Sequence, residues 1–445
     1  MLKIRSITFG IVVVVFILTW PLVSAIAESY FEWKGDQAYE RYGLAVEGPL
    51  NTDNDILKEI AFLYQSTNGG IKVKVVEYTT SFFLGPIWSD VDVADLAVGD
   101  FNGDGYSDIA VSNPLYDTAG YTDVGMIEIY LGGYQGPGSG GSRVLVPGST
   151  TNPPVPNAQN ELYFGWSIDA VDGGSYDYLL VGAPGLYIDQ DNSGYAVLYD
   201  LKNNQKLWDT GIGQMGYPGH KTGVCVRELK GLYGDGVVCF GVSNYYYAVP
   251  LWDDPTIAGY FSIVWIVHKQ GSQWITTSVT GTLKESPWNL ISPTQFGSSF
   301  SAGDFNGDGY VDLVVGEPRT TSTTSTVYIY AGAPDGLVTG APVVSIQQQG
   351  GIDFGIEVST IGDVNNDNCE DFLVGAPLYD WIRPDNGRVY LYLGGPFPQI
   401  PNNNQWNLYG ENPLLNGVNP QYLGGAREIC SGPVGGGKTL WGLRY

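Results

Sequence analysis

Three stretches of this chain place oxygen-bearing residues at one alternating spacing. The first holds Asp100, Asn102, Asp104, Tyr106 and Asp108. The second holds Asp304, Asn306, Asp308, Tyr310 and Asp312, and the third Asp363, Asn365, Asp367, Cys369 and Asp371. Positions 1, 3, 5 and 9 offer carboxylate or amide oxygens, and position 7 (Tyr106, Tyr310, Cys369) would offer its backbone carbonyl. Hard oxygens at this density suit Ca²⁺, which accepts about six to eight of them in flexible geometry; Mg²⁺ demands a stricter octahedron and keeps more water. Clustered carboxylates without a cation repel one another. The spacing therefore predicts about three structural calcium sites, with a metal-free Asx-rich turn as the alternative at each. Gly105 and Gly309 stand at position 6, where the chain must turn sharply, and Asn368 replaces them in the third stretch as a residue that tolerates the left-handed conformation. The loop lacks the position-12 Glu of an EF-hand. Asn51, Asp53, Asp55, Leu57 and Glu59 repeat the spacing more weakly, with Ile56 where glycine is wanted. No base or nucleophile accompanies the ligands, so the ion is expected to pin a turn rather than catalyse.

The loops lie inside a recurring frame. Phe164-Gly165, Phe296-Gly297 and Phe354-Gly355 stand upstream, and Gly182-Ala183-Pro184, Gly316-Glu317-Pro318 and Gly375-Ala376-Pro377 stand downstream. Tyr-rich alternating stretches follow at 195–199, 327–330 and 389–393. The pattern predicts a small antiparallel sheet per repeat: one strand after Phe-Gly, one after the acidic loop, and the Tyr-rich strand third. Weaker copies begin at Phe164 and Thr222; both lack the acidic set and are expected to hold no metal. One such sheet cannot bury both faces alone, so stacking and radial closure follow.

These residues together resemble the FG-GAP repeats of integrin alpha-subunit head domains and related secreted proteins. The resemblance implies an all-β, seven-bladed β-propeller of antiparallel sheets spanning residues 28–445 as one domain, with protein ligands bound by loops. The last repeat, starting near Tyr422, reads as only two strands, so Tyr30-Phe31-Glu32-Trp33 is expected to join it and close the ring with N- and C-terminal strands in one blade. A six-bladed ring with irregular closure is the alternative.

Composition bounds the function. The chain has 445 residues, 43% hydrophobic and 13% aromatic, enough for a large core, and a net charge of −25. Such acidity argues against nucleic acid and against an anionic membrane surface as partners. Lys3 and Arg5, the uncharged stretch 6–27 and Ala25-Ile26-Ala27 read as a signal peptide over residues 1–27, with an uncleaved anchor, and membrane attachment only through it, as the alternative. The chain is thus expected outside the cell or on its surface. Cys225 and Cys239 would face each other in a hairpin centred on Leu232, forming a disulfide; the alternative is buried free thiols, and Cys369 and Cys430 would be the remaining pair. His220 and His268 are the only imidazoles, and neither a His-Glu-x-x-His nor a Gly-x-Ser-x-Gly motif occurs. His268 is expected at a strand end. The reading is a non-enzymatic, calcium-binding adhesion or ligand-binding module for a protein or glycan. A self-assembling subunit of a cell-envelope layer or filament is the alternative, and a secreted hydrolase or lyase the lesser one. The recognition loops are expected at 132–141, 152–160, 252–259 and 319–325.

Overall fold

Runs of Val, Ile, Leu and Tyr broken by Gly- and Asx-rich turns favour strands over helices. The computed structural model is accordingly all-β, with no helix among the described residues. It describes residues 95–149, 156–186, 194–211, 221–244, 262–280, 295–318, 324–337, 341–348, 353–376 and 388–398 with their side chains, and outside these essentially strands alone. The weak acidic spacing at Asn51–Glu59, His220, and residues 152–155, 252–259 and 319–323 of the expected recognition loops lie outside these side-chain-described stretches.

Among the described residues, six sheets have four antiparallel strands each, laid side by side in chain order. Sheet I comprises Arg41–Leu50, Glu59–Gln65, Ile71–Glu77 and Thr80–Trp88. Sheet II comprises Leu96–Gly99, Asp108–Asn113, Met126–Leu131 and Gly141–Leu145. Sheet III comprises Ile168–Asp172, Asp177–Ala183, Tyr195–Asp200 and Gln205–Asp209. Sheet IV comprises Lys221–Glu228, Cys239–Tyr245, Ile263–Gln270 and Gln273–Thr280. Sheet V comprises Phe300–Gly303, Asp312–Glu317, Thr324–Tyr330 and Val344–Gln349. Sheet VI comprises Glu357–Gly362, Asp371–Ala376, Arg388–Tyr392 and Trp406–Tyr409.

The fourth strand of each repeat is a correction to the three-strand reading. Gly141–Leu145 and Gln205–Asp209 are short and mostly solvent-facing, so they carry little of the apolar alternation that marks a buried strand.

The cores lie between sheets. One apolar cluster joins sheets II and III through Ala97, Phe101, Ile127, Leu179, Val181 and Tyr199. Others join III to IV through Leu180, Leu198, Trp208, Val242 and Phe240, IV to V through Cys225, Ile266, Phe300 and Leu313, and V to VI through Phe305, Val314, Phe354, Phe372 and Tyr390. First strands of successive sheets lie beside one another from sheet I through sheet VI. This face-to-face succession about a common axis is a β-propeller arrangement. Near the axis Arg227 of sheet IV reaches past sheet V to Glu357 of sheet VI at 3.7 Å. Ser299 of sheet V donates its hydroxyl to the same Glu357 carboxylate at 2.9 Å.

A terminal sheet pairs Ile429–Val434 with Lys438–Leu443, and Ile17–Leu18 adds to its edge. Ile429–Val434 lies between the first strands of sheets VI and I. An N-terminal strand thus joins the C-terminal ones, but it is not Tyr30–Trp33. Phe31–Lys34 pairs instead with Ile11–Val14. The Ile11–Leu18 run is richer in β-branched and aliphatic residues than Tyr30–Trp33 and makes the stronger strand.

Cys225 and Cys239 are free thiols, as is Cys369. The register pairs Val226 with Val242 and Glu228 with Phe240, which centres the hairpin near Gly234 rather than Leu232. Cys225 therefore sits beside Ser243, whose hydroxyl oxygen accepts its N–H at 3.1 Å, four residues along the strand from the partner of Cys239. That is roughly 13 Å of strand, far beyond disulfide reach.

Candidate metal-binding loops in a repeat frame

The Phe-Gly and Gly-Ala-Pro flanks meet as a backbone lock. Gly165 donates its N–H to the carbonyl of Gly182 at 2.9 Å, Gly297 to Gly316 at 2.8 Å, and Gly355 to Gly375 at 2.9 Å. The glycine of the second flank also lies under the corresponding glycine of the next repeat, that of Thr222-Gly223 or of Phe354-Gly355. A Cβ on Gly182 would stand 2.0 Å from the Gly223 carbonyl oxygen, and one on Gly316 1.9 Å from that of Gly355. Phe164, Phe296 and Phe354 are fully buried beside these glycines. In sheets V and VI the frame therefore fixes where the second strand begins and ends, and with it the acidic loop between first and second strands.

The three acidic loops fold alike. In the first, Asp100 Oδ1 accepts the N–H groups of Gly103 (2.7 Å) and Asp104 (3.0 Å), and Oδ2 that of Gly105 (2.9 Å). In the second, Asp304 accepts from Gly307 (2.8 Å), Asp308 (3.1 Å) and Gly309 (2.9 Å). In the third, Asp363 accepts from Asp367 (3.1 Å) and Asn368 (2.8 Å). Asn102, Asn306 and Asn365 each donate an amide hydrogen to the position-5 carboxylate at 2.9 Å. Position 6 is left-handed in all three loops, with φ of 91° at Gly105, 86° at Gly309 and 67° at Asn368. The glycine-for-asparagine exchange read from the sequence thus falls where the backbone demands it.

Position 9 behaves differently from the rest. Asp108, Asp312 and Asp371 are fully buried at the start of the second strand. One oxygen of each accepts an N–H from the loop: Phe101 at 2.9 Å, Phe305 at 3.0 Å and Val364 at 2.8 Å. The other accepts, at 2.8 Å, from Gly132, Gly332 or Gly394, just past the third strand. Burial, reinforced by the position-1 and position-5 carboxylates, raises Asp108 and Asp312 to about 7 and Asp371 to about 6, against the opposing pull of those N–H groups. Among the described residues, no three His, Cys, Asp or Glu side chains close around one point as an ion-filled centre would. The position-1 carboxylates are turned onto the N–H groups of their own loops.

Two acidic residues that sequence reasoning missed clamp these loops from the following repeat. Asp177 of sheet III accepts the Asp100 N–H at 2.8 Å and returns its own N–H to the Asp100 carbonyl at 2.9 Å. Glu370 of sheet VI does the same for Asp304, at 2.9 and 2.8 Å. A signal was present: each stands five residues before the glycine of its Gly-Ala-Pro flank. The glycines that meet position 9 also had one, in Leu131-Gly132-Gly133, Ala331-Gly332-Ala333 and Leu393-Gly394-Gly395 after the third strands.

The two repeats without the acidic set use other chemistry in the same place. The short turn of sheet III carries Asp172, which Lys230 meets at 2.8 Å, while its N–H goes to Glu228 at 2.7 Å. The turn of sheet IV is an apolar plug in which Leu229 and Leu232 are buried and Tyr233 stacks on His268 at 3.6 Å between ring centroids. His268 lies within Ile263–Gln270 rather than at its end, and burial holds its imidazole below the usual range. The sequence underplaced it because the polar Lys269 and Gln270 follow at once.

A profile described as FG-GAP repeat matches residues 93–130, 296–330 and 354–392. Mouse integrin alpha-3 is 33% identical over 101 residues, 22% of this chain and 9% of that protein. Chicken integrin alpha-6 is 27% identical over 237 residues, 49% of this chain and 20% of that protein. The matches thus span a fifth or less of those relatives' own length. A solved structure titled "Structure of Dos1 propeller" overlaps 86% of this chain and 74% of its own at 11% identity, with a TM-score of 0.37, too low to weigh on the fold. Three segments of this chain thus match the FG-GAP repeat, and the chain is similar to integrin alpha chains.

Proposed function

We propose that the chain is an exported, calcium-stabilised β-propeller of seven blades that binds an extracellular protein or glycan. The observation that carries the calcium reading is the shared hydrogen-bond plan of the three acidic loops, each ending on a buried carboxylate. The donor set fits: at positions 1, 3, 5 and 9 each loop offers three Asp and one Asn side chain, and burial penalises the position-9 charge that a cation would neutralise. Asp100, Asn102, Asp104, the Tyr106 carbonyl and Asp108 would hold one ion. Asp304, Asn306, Asp308, the Tyr310 carbonyl and Asp312 would hold a second, and Asp363, Asn365, Asp367, the Cys369 carbonyl and Asp371 a third. When bound, the ion supplies charge compensation to the turn and no chemistry. The two C-terminal strands Ile429–Val434 and Lys438–Leu443 form the seventh blade of the exported chain, and residues 1–27, which include the Ile17–Leu18 edge strand, direct export.

Binding rather than catalysis is favoured by the placement of His268, buried in an apolar stack with Tyr233. The similarity to integrin alpha chains favours adhesion over an envelope lattice. The test is thermal unfolding of the full chain in calcium and in chelator, with ion counting. Three sites each held at about a hundred times their Kd would contribute roughly 8 kcal/mol together, a midpoint shift on the order of 10 °C for a chain of this length. An unchanged melting curve with no bound ion overturns the calcium reading. Failure of the labelled chain to bind any spot on an array of extracellular-matrix proteins and glycans overturns the adhesion reading.

A further inference from the structure

The second and third acidic loops touch, and two hydrogen-bonded bridges join them. The first is the closed pair between Asp304 and Glu370, with Asp304 N–H to Glu370 Oε2 at 2.9 Å and Glu370 N–H to Asp304 O at 2.8 Å. Asp304 is position 1 of its loop; Glu370 stands between positions 7 and 9 of the next. The second bridge runs from Asp371, whose Oδ1 accepts the Gly394 N–H at 2.8 Å, to the adjoining Gly395, which donates to the Phe305 carbonyl at 2.7 Å. The fit is close: a Cβ on Gly307 would meet the Asn368 carbonyl and the Cys369 sulfur at 3.0 Å each. The Phe305 and Phe372 rings pack edge to face beneath, 5.1 Å apart. The first loop has no such neighbour, because its clamp Asp177 belongs to a turn without the acidic set.

We infer that the ions of the second and third loops bind cooperatively, while the first loop binds independently; this rests on the calcium reading above. An ion that draws Asp371 and the Cys369 carbonyl into place fixes Glu370 and Gly395, and these hold Asp304 and Phe305 in the second loop. Part of the ordering cost of the second site is then met by the first ion to bind, and by linkage the effect is equal in both directions.

The experiment is calorimetric calcium titration of the full chain carrying Asp104→Asn, which silences the first loop at an exposed side chain. Two ions should bind with a Hill coefficient above one. Adding Asp367→Asn, also exposed, should leave one ion bound about tenfold more weakly than the midpoint of the pair. Adding Asp308→Asn instead should weaken the third loop by the same factor. Glu370→Ala should keep both ions and bring the Hill coefficient toward one, its fold checked by melting in saturating calcium. Two non-interacting ions, or a partner site whose affinity stays within twofold in the Asp367→Asn chain, overturns the coupling while leaving the calcium reading intact. Absence of any ion on the unmodified chain overturns both.

Discussion

At the scale of single residues, the repeat is written in glycines of two physical kinds. Gly316 is held by proximity: a Cβ there would stand 1.9 Å from a backbone oxygen of the next repeat, and no rotamer relieves it. Gly309 is held by conformation, with φ at 86° and open space where a Cβ would go. The two should respond differently to the same change. Gly316→Ala forces neighbouring sheets apart and is expected to cost about 3 kcal/mol or more. Gly309→Ala meets only the left-handed penalty, about 1–2 kcal/mol. Urea unfolding in chelator, so that ion binding does not enter, measures both; equal losses would show that the frame tolerates displacement at the Gly-Glu-Pro flank. Asn368 shows the same conformational demand met by a non-glycine residue.

At the scale of elements, a repeat without the acidic set must settle its buried charge within the protein. Glu228, at the end of the first strand of sheet IV, is raised to about 7 by burial and by Asp169 and Asp172; the Asp172 N–H and Lys230 pull the other way. A carboxyl raised on folding contributes stability that is fully present below its unfolded pKa, near 4.5, and is lost as pH rises through about 7. Glu228→Gln should therefore melt higher than the parent at pH 8 and lose the advantage by pH 4.5. A difference that is flat with pH would show that Glu228 ionises freely. This clamp between sheets was not legible in the sequence, because Glu228 is distant in the chain from Asp169 and Asp172 and belongs to no recurring pattern. What was legible was local: the Phe-Gly and Gly-Ala-Pro flanks, the Asx spacing and the Tyr-rich third strands. The fourth strands escaped because an exposed edge needs no apolar alternation. The cysteine pairing failed because a hairpin's centre depends on its turn, and shifting it from Leu232 to near Gly234 moves every partner.

At the scale of the whole molecule, strand order divides the loops between two ends. In a four-stranded antiparallel sheet the first and third connections share one end, and the second connection shares the other with the link to the next sheet. The acidic loops and residues 132–141 thus lie at one end. The described parts of the other three, 156–160, 254–259 and 324–325, belong to the opposite end, so the recognition loops expected from sequence are not one surface. Ions that pin first turns would leave the opposite end free to vary and to carry the ligand. Two tyrosines of nearly equal exposure test this division. Tyr121, 44% exposed, sits at that opposite end, in the connection between the second and third strands of sheet II. Its N–H and carbonyl are both paired with Thr118, at 3.1 and 3.0 Å. Tyr310, 42% exposed, sits at position 7 of an acidic loop. A rigidly held aromatic side chain in an interface is worth about tenfold or more in affinity when truncated. Tyr121→Ser is therefore expected to weaken binding to the best matrix-protein or glycan spot on the array by about tenfold, with Tyr310→Ser staying within twofold. The reverse result would place recognition on the acidic-loop end and make the ions part of the binding surface.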